Sequence, residues 1–81
     1  MSNYSLPVLL VNRVAEFRKR YGLTQTQLAD MVGCTKNTIS LIELGKQYPT
    51  LDLAFCIASV FFEPIEVVFQ PSCYVAEYFI D

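Results

Sequence analysis

Residues 22–46 of the chain read GLTQTQLADMVGCTKNTISLIELGK, a stretch with the start and stop signals of two short helices joined by a tight turn. Thr24 and Gln27 have the spacing of a capping box, which predicts that the earlier helix begins just after Thr24. Gly33 is suited to end that helix, because glycine tolerates the positive φ of a helix C-terminus. Thr35 is a good N-cap for the later helix. The stretch therefore predicts a helix, a sharp turn and a second helix.

The positions of small and apolar residues inside this stretch indicate how the two helices pack. Ala29 stands where the helices are expected to cross closely, so a larger side chain would push them apart. Ile39 and Ile42 are expected to anchor the inner face of the later helix, which Gly45 closes. The outer and N-terminal face of that helix is then left to Lys36, Asn37, Thr38, Ser40 and Leu41.

Periodicity predicts three more helices around this pair, so the expected fold is all-α with five helices. The first is predicted over about 11–21, and the fourth over 51–61 after an N-cap at Thr50. The fifth is predicted to begin at Pro64, where proline suits the first turn, and to end before Pro71. The residues expected to face the core from these three helices are Val14, Phe17, Tyr21, Leu51, Ala54, Ile57, Ala58, Phe61, Ile65, Val68 and Phe69.

The length of 81 residues fits a single domain over 1–81, with a helical core at 11–70. Residues 71–81 form a tail of different character, rich in residues that favour strand. An apolar tail is an aggregation liability when exposed, so we expect it to pack on its own domain or on a second subunit. The segment Phe69–Ile80 is the candidate dimerisation element.

Charge divides the chain into two unlike parts, although the net charge is only −2. Residues 1–50 hold six basic and three acidic side chains, a balance of +3, whereas residues 51–81 hold five acidic and no basic ones. Because a ligand is steered by the local field, this asymmetry favours one face for a phosphate backbone and a remote face for another contact. The alternative is ordinary scatter of surface charge.

Composition excludes several classes of protein. No apolar run is long enough to span a bilayer and no signal peptide is visible, so a cytoplasmic protein is expected. Cys34, Cys56 and Cys73 are widely spaced and the chain has no histidine, which predicts mostly buried free thiols and no metal site. Without histidine, paired carboxylates or a glycine-rich phosphate loop, no enzyme activity and no cofactor are expected.

Residues 25–44, within a wider match from about Arg13 to Phe69, resemble the helix-turn-helix of Xre-type regulators, the phage-repressor and Cro-like proteins. The resemblance continues through YPTLDLAFCIA at residues 48–58 and is strongest to short, stand-alone members. It implies a lambda-repressor-like DNA-binding domain of prokaryotic or phage origin, with double-stranded operator DNA as its partner.

The resemblance also implies roles for individual residues. Arg18 matches an arginine that pairs with a glutamate at the end of the recognition helix, here Glu43. The positions that match phosphate contacts are Gln25, Thr35, Lys46, Gln47 and Tyr48. The positions that match the base-facing edge are Lys36, Asn37, Thr38, Ser40 and Leu41.

Side-chain chemistry agrees with the base-facing set. Asn37 can pair with an adenine edge, Lys36 can donate to guanine, and Leu41 can meet a thymine methyl. Each has a plainer alternative. The polar residues are also compatible with a solvated helix start, Leu41 with a partner contact, and Tyr48 with simple packing against Pro49.

Two functions follow as hypotheses. The leading one is a sequence-specific transcriptional repressor that binds operator DNA as a homodimer and is controlled by its concentration or by a partner protein. The other is a protein-interaction module of the same fold, such as an antitoxin or adaptor.

Leu44 and Phe62 depart from the resembled pattern, and Phe62 predicts a different geometry at the end of the fourth helix. With Lys36 as the lone cation of the recognition helix, we expect modest affinity per monomer.

Overall fold

The computed structural model describes residues 10–71 and confirms the predicted five-helix architecture, to which it adds a small two-stranded sheet. In chain order the elements are β1 (Leu10–Asn12), α1 (Val14–Arg20), α2 (Gln25–Val32), α3 (Lys36–Glu43), α4 (Leu51–Val60), α5 (Ile65–Val68) and β2 (Phe69–Pro71). None of these helices has the length and apolarity that a membrane crossing requires. The predictions for Cys73 and for the tail from residue 72 onward lie outside the described residues.

One apolar core lies between the helices, to which each contributes a stripe of buried side chains. Phe17 of α1 and Phe61, just after α4, stack at its centre with ring centroids 5.5 Å apart. The buried residues are Val14, Phe17, Leu28, Ala29, Ile39, Ile42, Ala54, Ile57, Ala58, Phe61, Val68 and Phe69. Since α2 packs closely on α3, the helices that carry the quoted motif are fixed to each other by this core.

The turn between α2 and α3 forms as its sequence predicts. The Gln27 amide donates to the Thr24 hydroxyl at 3.0 Å, and the Thr24 amide donates to the Gln27 side chain at 2.8 Å, which completes the capping box. Gly33 ends α2 in the left-handed region at φ 78°. Thr35 caps α3 by accepting a hydrogen bond from the Thr38 amide at 3.1 Å. Local signals thus mark the start of α2 at Thr24, its end at Gly33 and the start of α3 at Thr35.

The prediction that the first helix starts near Val11 is wrong, because residues 10–12 form β1. This strand pairs antiparallel with β2, in the register Leu10 with Pro71 and Asn12 with Phe69. The same pairing shortens the fifth helix, which ends at Val68. Backbone groups of β1 and β2 satisfy each other, a contact between distant segments that helical periodicity cannot reveal.

Three predictions of burial are also wrong. Leu51 begins α4 and is 68% exposed, because the first turn of this helix extends past the core. Tyr21 is about half exposed; its ring stacks on Phe61 and its hydroxyl donates to the Phe61 carbonyl at 3.0 Å. Cys56 is exposed on α4, whereas burial raises the pKa of the partly buried Cys34 thiol.

Phe62 keeps the left-handed helix end that its side chain was expected to prevent. Its φ is 56°, and the Glu63 amide donates to the Ala58 carbonyl at 3.1 Å, as in a glycine-ended helix. For a residue with a Cβ, this conformation costs about 1–2 kcal/mol. The ring is 88% exposed, so burial of the ring does little to offset this strain.

We therefore expect Phe62→Gly to stabilise the protein by about 0.5–1 kcal/mol, after the entropy cost of glycine is subtracted from the strain relieved. Gly33→Ala is the matched control, since a Cβ at Gly33 would meet no atom within 4 Å and would add only backbone strain. Urea unfolding of both variants measures the effect. A loss of stability in Phe62→Gly would show that the ring has a stabilising contact.

Candidate nucleic-acid interface

Helix α3 buries one edge and presents the other. Ile39 and Ile42 are fully buried in the core. Lys36 and Asn37 are exposed at the start of the helix. Thr38, Ser40 and Leu41 are partly exposed along the same helix. The structure therefore holds α3 by its apolar edge and leaves the predicted base-facing edge accessible to a ligand.

The N-terminus of α3 is held by two threonines. Besides capping the helix, the Thr35 hydroxyl lies 3.0 Å from the hydroxyl of Thr38, so the two share a hydrogen bond. A hydroxyl has one donor and two acceptor sites, which leaves capacity for a further contact. The first amides of a helix also lack partners inside the helix and favour anions. The exposed Thr35 hydroxyl therefore retains hydrogen-bonding capacity at the N-terminus of α3.

The C-terminus of α3 is tied to α1 by an ion pair. The Nε atom of Arg18 donates to Glu43 at 2.7 Å and Nη2 donates to its other oxygen at 3.2 Å. Nη1 donates to the Leu23 carbonyl at 2.8 Å, just ahead of α2. The two side chains are only 12% and 8% exposed. One guanidinium thus fixes α1, the start of α2 and the end of α3 relative to each other.

Gln25, at the start of α2, belongs to the same network. Its Nε2 donates to Glu43 at 3.0 Å, on the oxygen that also accepts from Arg18 Nη2. This contact orients the amide group and uses one of its two N–H donors. The other N–H group and the carbonyl oxygen have no hydrogen bond within residues 10–71 and are left for a ligand.

Lys46, Gln47 and Tyr48 follow α3 in an exposed loop. The loop leaves the helix through Gly45 at φ 75°, and the Lys46 amide donates to the Leu41 carbonyl at 2.9 Å. The Tyr48 hydroxyl accepts a hydrogen bond from the Leu10 amide at 3.3 Å. Tyr48 therefore joins the loop to β1. Neither interpretation from the sequence, a phosphate contact or packing against Pro49, included this contact.

Asn12 is a further residue that the sequence reasoning missed. Its Nδ2 donates to the Ile42 carbonyl at 2.9 Å, near the end of α3, while its Oδ1 accepts from the Val14 amide at 3.1 Å. An asparagine side chain often accepts from the amide two residues later at a helix start, so the contact with Val14 could be predicted from the sequence. The contact with α3 depends on the tertiary fold.

Arg13, directly ahead of α1, and Arg20, the last residue of α1, belong to a separate cluster. Arg13 and Arg20 both contact Glu16, at 2.7 and 3.1 Å, and both guanidinium groups lie over the Phe17 ring. The hydrogen bond from Arg13 lowers the pKa of the Glu16 carboxyl. In contrast, neither Lys36 nor Lys46 forms an ion pair within the described residues. Lys19 also forms none there, but Lys36 and Lys46 differ from it in lying on α3 and in the loop that follows α3.

Comparison with known proteins identifies the family. A helix-turn-helix family model matches residues 14–68, which is more than half of the chain. An uncharacterized HTH-type transcriptional regulator of Archaeoglobus fulgidus is 49% identical over 57 residues, covering 70% of this chain and 81% of the relative. The Bacillus subtilis regulator YgzD is 41% identical over 58 residues, 72% of this chain and 88% of its own length.

A regulator of Methanocaldococcus jannaschii is similar to the same extent, with 43% identity over 58 residues and the same coverage. The matched residues include the whole of α1–α5 that the structure describes, so fold and sequence point to one assignment. The chain belongs to the Xre-type helix-turn-helix family and is a DNA-binding transcriptional regulator, not an enzyme.

Proposed function

We propose that this regulator is a repressor that binds a pseudo-palindromic operator as a homodimer and inserts α3 into the major groove. The observation that carries the proposal is the division of α3 into two edges. Ile39 and Ile42 are fully buried, while Lys36 and Asn37 are exposed at the start of the helix. A helix held in this way enters a groove about 12 Å wide with its N-terminal side chains toward the bases.

In this proposal the residues of α3 read the bases. Asn37 accepts from and donates to an adenine edge, and Lys36 donates to guanine O6 and N7. Leu41, half-buried one turn further on, contacts a thymine methyl. Thr38 and Ser40 complete the set with hydroxyl groups that suit either base or sugar. Each good bidentate contact discriminates against the wrong base by about 1–3 kcal/mol.

The backbone contacts surround this edge. Gln25 and Thr35 offer amide and hydroxyl groups to phosphates at the starts of α2 and α3. Lys46, Gln47 and Tyr48 hold a phosphate from the loop on the other side of the helix. Such contacts set the register of the protein on the duplex without selecting its sequence.

Dimerisation follows from the small number of cations. Lys36 and Lys46 are the lysines of α3 and its loop, so one subunit releases few counterions on binding. A two-fold dimer doubles these contacts and places two copies of α3 about 34 Å apart, one turn of duplex. We further propose a cytoplasmic location, since a repressor must reach the operator where transcription occurs. In this proposal the repressor is controlled by its own concentration or by a partner protein.

Two substitutions distinguish base reading from phosphate contact. We expect Asn37→Ala to weaken selection at one base position of each half-site, by about 1–3 kcal/mol. We expect Lys46→Ala to weaken binding to all sequences alike and to reduce the slope of log K against log salt by about 2 for a dimer. Selection from a random duplex pool, followed by titration of the chosen sequence at several salt concentrations, measures both.

Lys19→Ala is a matched control for the loss of a cation, because Lys19 is an exposed lysine of α1, outside both the proposed DNA-contacting residues and the candidate dimerisation element. It should leave both the selected sequence and the salt dependence unchanged. If the wild-type chain bound no duplex at low salt, the protein-interaction alternative would replace the repressor. If Asn37→Ala and Lys46→Ala had the same effect on every sequence, the division of contacts would be wrong.

A further inference from the structure

We infer that Asn12 is a positioning residue for the reading of DNA, because it fixes the backbone at the end of α3 to the two-stranded sheet. The inference rests on the proposed function and deepens it, since it names the contact that sets where the C-terminal half of α3 meets the duplex. One side chain joins two helices here. Asn12 donates from Nδ2 to the Ile42 carbonyl at 2.9 Å and accepts at Oδ1 from the Val14 amide at 3.1 Å.

The bond to Ile42 closes an end of α3 that the helix cannot close by itself. The last carbonyl groups of a helix lack amide partners inside it. The Ile42 carbonyl accepts from the Gly45 amide at 3.0 Å, and its second acceptor site is occupied by the Asn12 side chain. The recognition helix is therefore capped at its C-terminus by a residue that precedes Ile42 by 30 positions.

Apolar packing and hydrogen bonding restrain α3 in different ways. Ile39 and Ile42 hold the helix on the core, but burial of apolar surface has no directional preference. Hydrogen bonds are restricted in distance and angle, so they limit sliding and rotation of the helix. Recognition requires side chains placed within roughly 0.5 Å. The bond from Asn12 therefore constrains the placement on which base reading depends.

The strand that carries Asn12 is itself anchored in the core. Asn12 pairs with Phe69, which is only 6% exposed. Directly after the strand, the Arg13 amide donates to the Val68 carbonyl at 2.8 Å. Asn12 therefore connects α3 to a part of the chain that is fixed by both backbone pairing and burial.

The same strand also holds the loop that follows α3. Backbone amides of an antiparallel strand point alternately toward and away from the paired strand. Because the Arg13 amide points toward the paired segment, the Leu10 amide points away from it, and it donates to the Tyr48 hydroxyl at 3.3 Å. Residues 42 and 48 are thus bonded to residues 12 and 10 of β1. One strand fixes the recognition helix and the proposed phosphate-contacting loop relative to each other.

Two substitutions separate the contacts that Asn12 makes with α1 and with α3. Asn12→Ser retains an oxygen that accepts from the Val14 amide, since serine is a good residue for such a cap, but it is too short to reach the Ile42 carbonyl. Asn12→Asp also retains the acceptor and replaces the donor by a carboxylate oxygen, which is repelled at a helix C-terminus. Both variants keep the contact with α1 and lose the contact with α3.

Hydrogen exchange of the free protein tests the positioning role without DNA. The amides of Gly45 and Lys46 bond to the last turn of α3. We expect them to exchange about 2–10-fold faster in Asn12→Ser and at least about 10-fold faster in Asn12→Asp, because the helix end opens more often. The Val14 amide should stay protected in both variants.

Tyr21→Phe is the matched control. The Tyr21 hydroxyl donates to the Phe61 carbonyl at 3.0 Å, just after α4, so it is also a side-chain bond from a distant element to the end of a helix. Its loss should lower Tm about as much as Asn12→Ser does. It should leave exchange at Gly45 and Lys46 unchanged, because it does not touch α3.

Titration of the selected operator, at a temperature at which every variant is folded, tests the consequence for reading. Asn12→Ser should weaken binding by about 2–10-fold, mainly through lost preference at the base position that Leu41→Ala affects. The salt dependence should not change, because no cation is removed. Tyr21→Phe should bind as the wild-type chain does.

The outcomes separate this inference from the proposed function. Faster exchange and weaker base preference in both variants of residue 12, but not in Tyr21→Phe, support it. Unchanged exchange, or faster exchange with unchanged base preference, overturns it. Weaker binding with unchanged exchange also overturns it and assigns Asn12 to a direct contact with DNA. Failure of the wild-type chain to bind any duplex overturns the proposed function, whatever exchange shows about the end of α3.

Discussion

Arg18→Ala is expected to lower the free energy of unfolding by about 3 kcal/mol, a large part of the stability of a small domain. The substitution leaves the Glu43 carboxylate, only 8% exposed, without its cation and with Gln25 as its remaining side-chain partner. It also leaves the Leu23 carbonyl without the donor at 2.8 Å. Urea unfolding measures the loss, which for a domain of this size corresponds to a fall in Tm of more than 10 °C.

The double variant Arg18→Met, Glu43→Gln separates the ion pair from simple packing. It removes both charges and retains a carbonyl oxygen at residue 43 for the Gln25 amide. We expect it to recover most of the lost stability, because a buried ion pair is often replaceable when both partners are removed. A double variant as unstable as Arg18→Ala would show that the guanidinium acts through packing or through Leu23.

The ion pair also matters for DNA binding. At a temperature where Arg18→Ala is folded, we expect weaker binding to the selected operator, since the end of α3 loses its link to α1. The change should appear as lower sequence selectivity with little change in salt dependence, because no phosphate-contacting cation is removed. Unaltered selectivity would mean that Asn12, through its bond to the Ile42 carbonyl, suffices to hold the end of α3.

Ile39→Ala is the second substitution for which we expect a large effect. Ile39 is fully buried beneath α3, and truncation to alanine leaves a cavity that costs about 2–5 kcal/mol. Leu41→Ala, two residues later on the same helix, is the matched control, because Leu41 is only partly buried. It should cost much less stability and should lower the preference for thymine at one position.

Thermal unfolding and selection from a random duplex pool distinguish the two variants of α3. Ile39→Ala should lower Tm strongly while the preferred operator sequence stays the same in the folded population. Leu41→Ala should change the preferred operator sequence and have little effect on Tm. If Leu41→Ala changed the dimer constant instead of base preference, Leu41 would be assigned to a partner contact.

Local signals made most of the helix-turn-helix predictable. The capping box at Thr24 and Gln27, the glycine at residue 33 and the N-cap at Thr35 all act within a few residues, so sequence spacing reveals them directly. The buried positions Ala29, Ile39 and Ile42 were also readable, because helical periodicity identifies an inner face when the helix is short and well bounded.

The errors concern contacts between distant segments. Residues 10–12 look like the start of an amphipathic helix, but their backbone pairs with residues 69–71 and forms a strand. Leu51 fits the apolar stripe of α4, yet nothing in periodicity shows that the buried part of this helix begins only one turn later, at Ala54. Asn12 and Tyr48 gained partners on α3 and β1 that lie 30 and 38 residues away.

For this protein, the sequence alone determined the helix-turn-helix and the side chains along its recognition helix, because caps, turns and periodicity are properties of short segments. Only the tertiary structure decided how that helix is held, through Arg18, Asn12 and the shared Glu43 carboxylate. It alone also left Leu51 and Phe55 of α4 exposed. The physical reason is that long-range hydrogen bonds and the limits of the core depend on where whole elements meet.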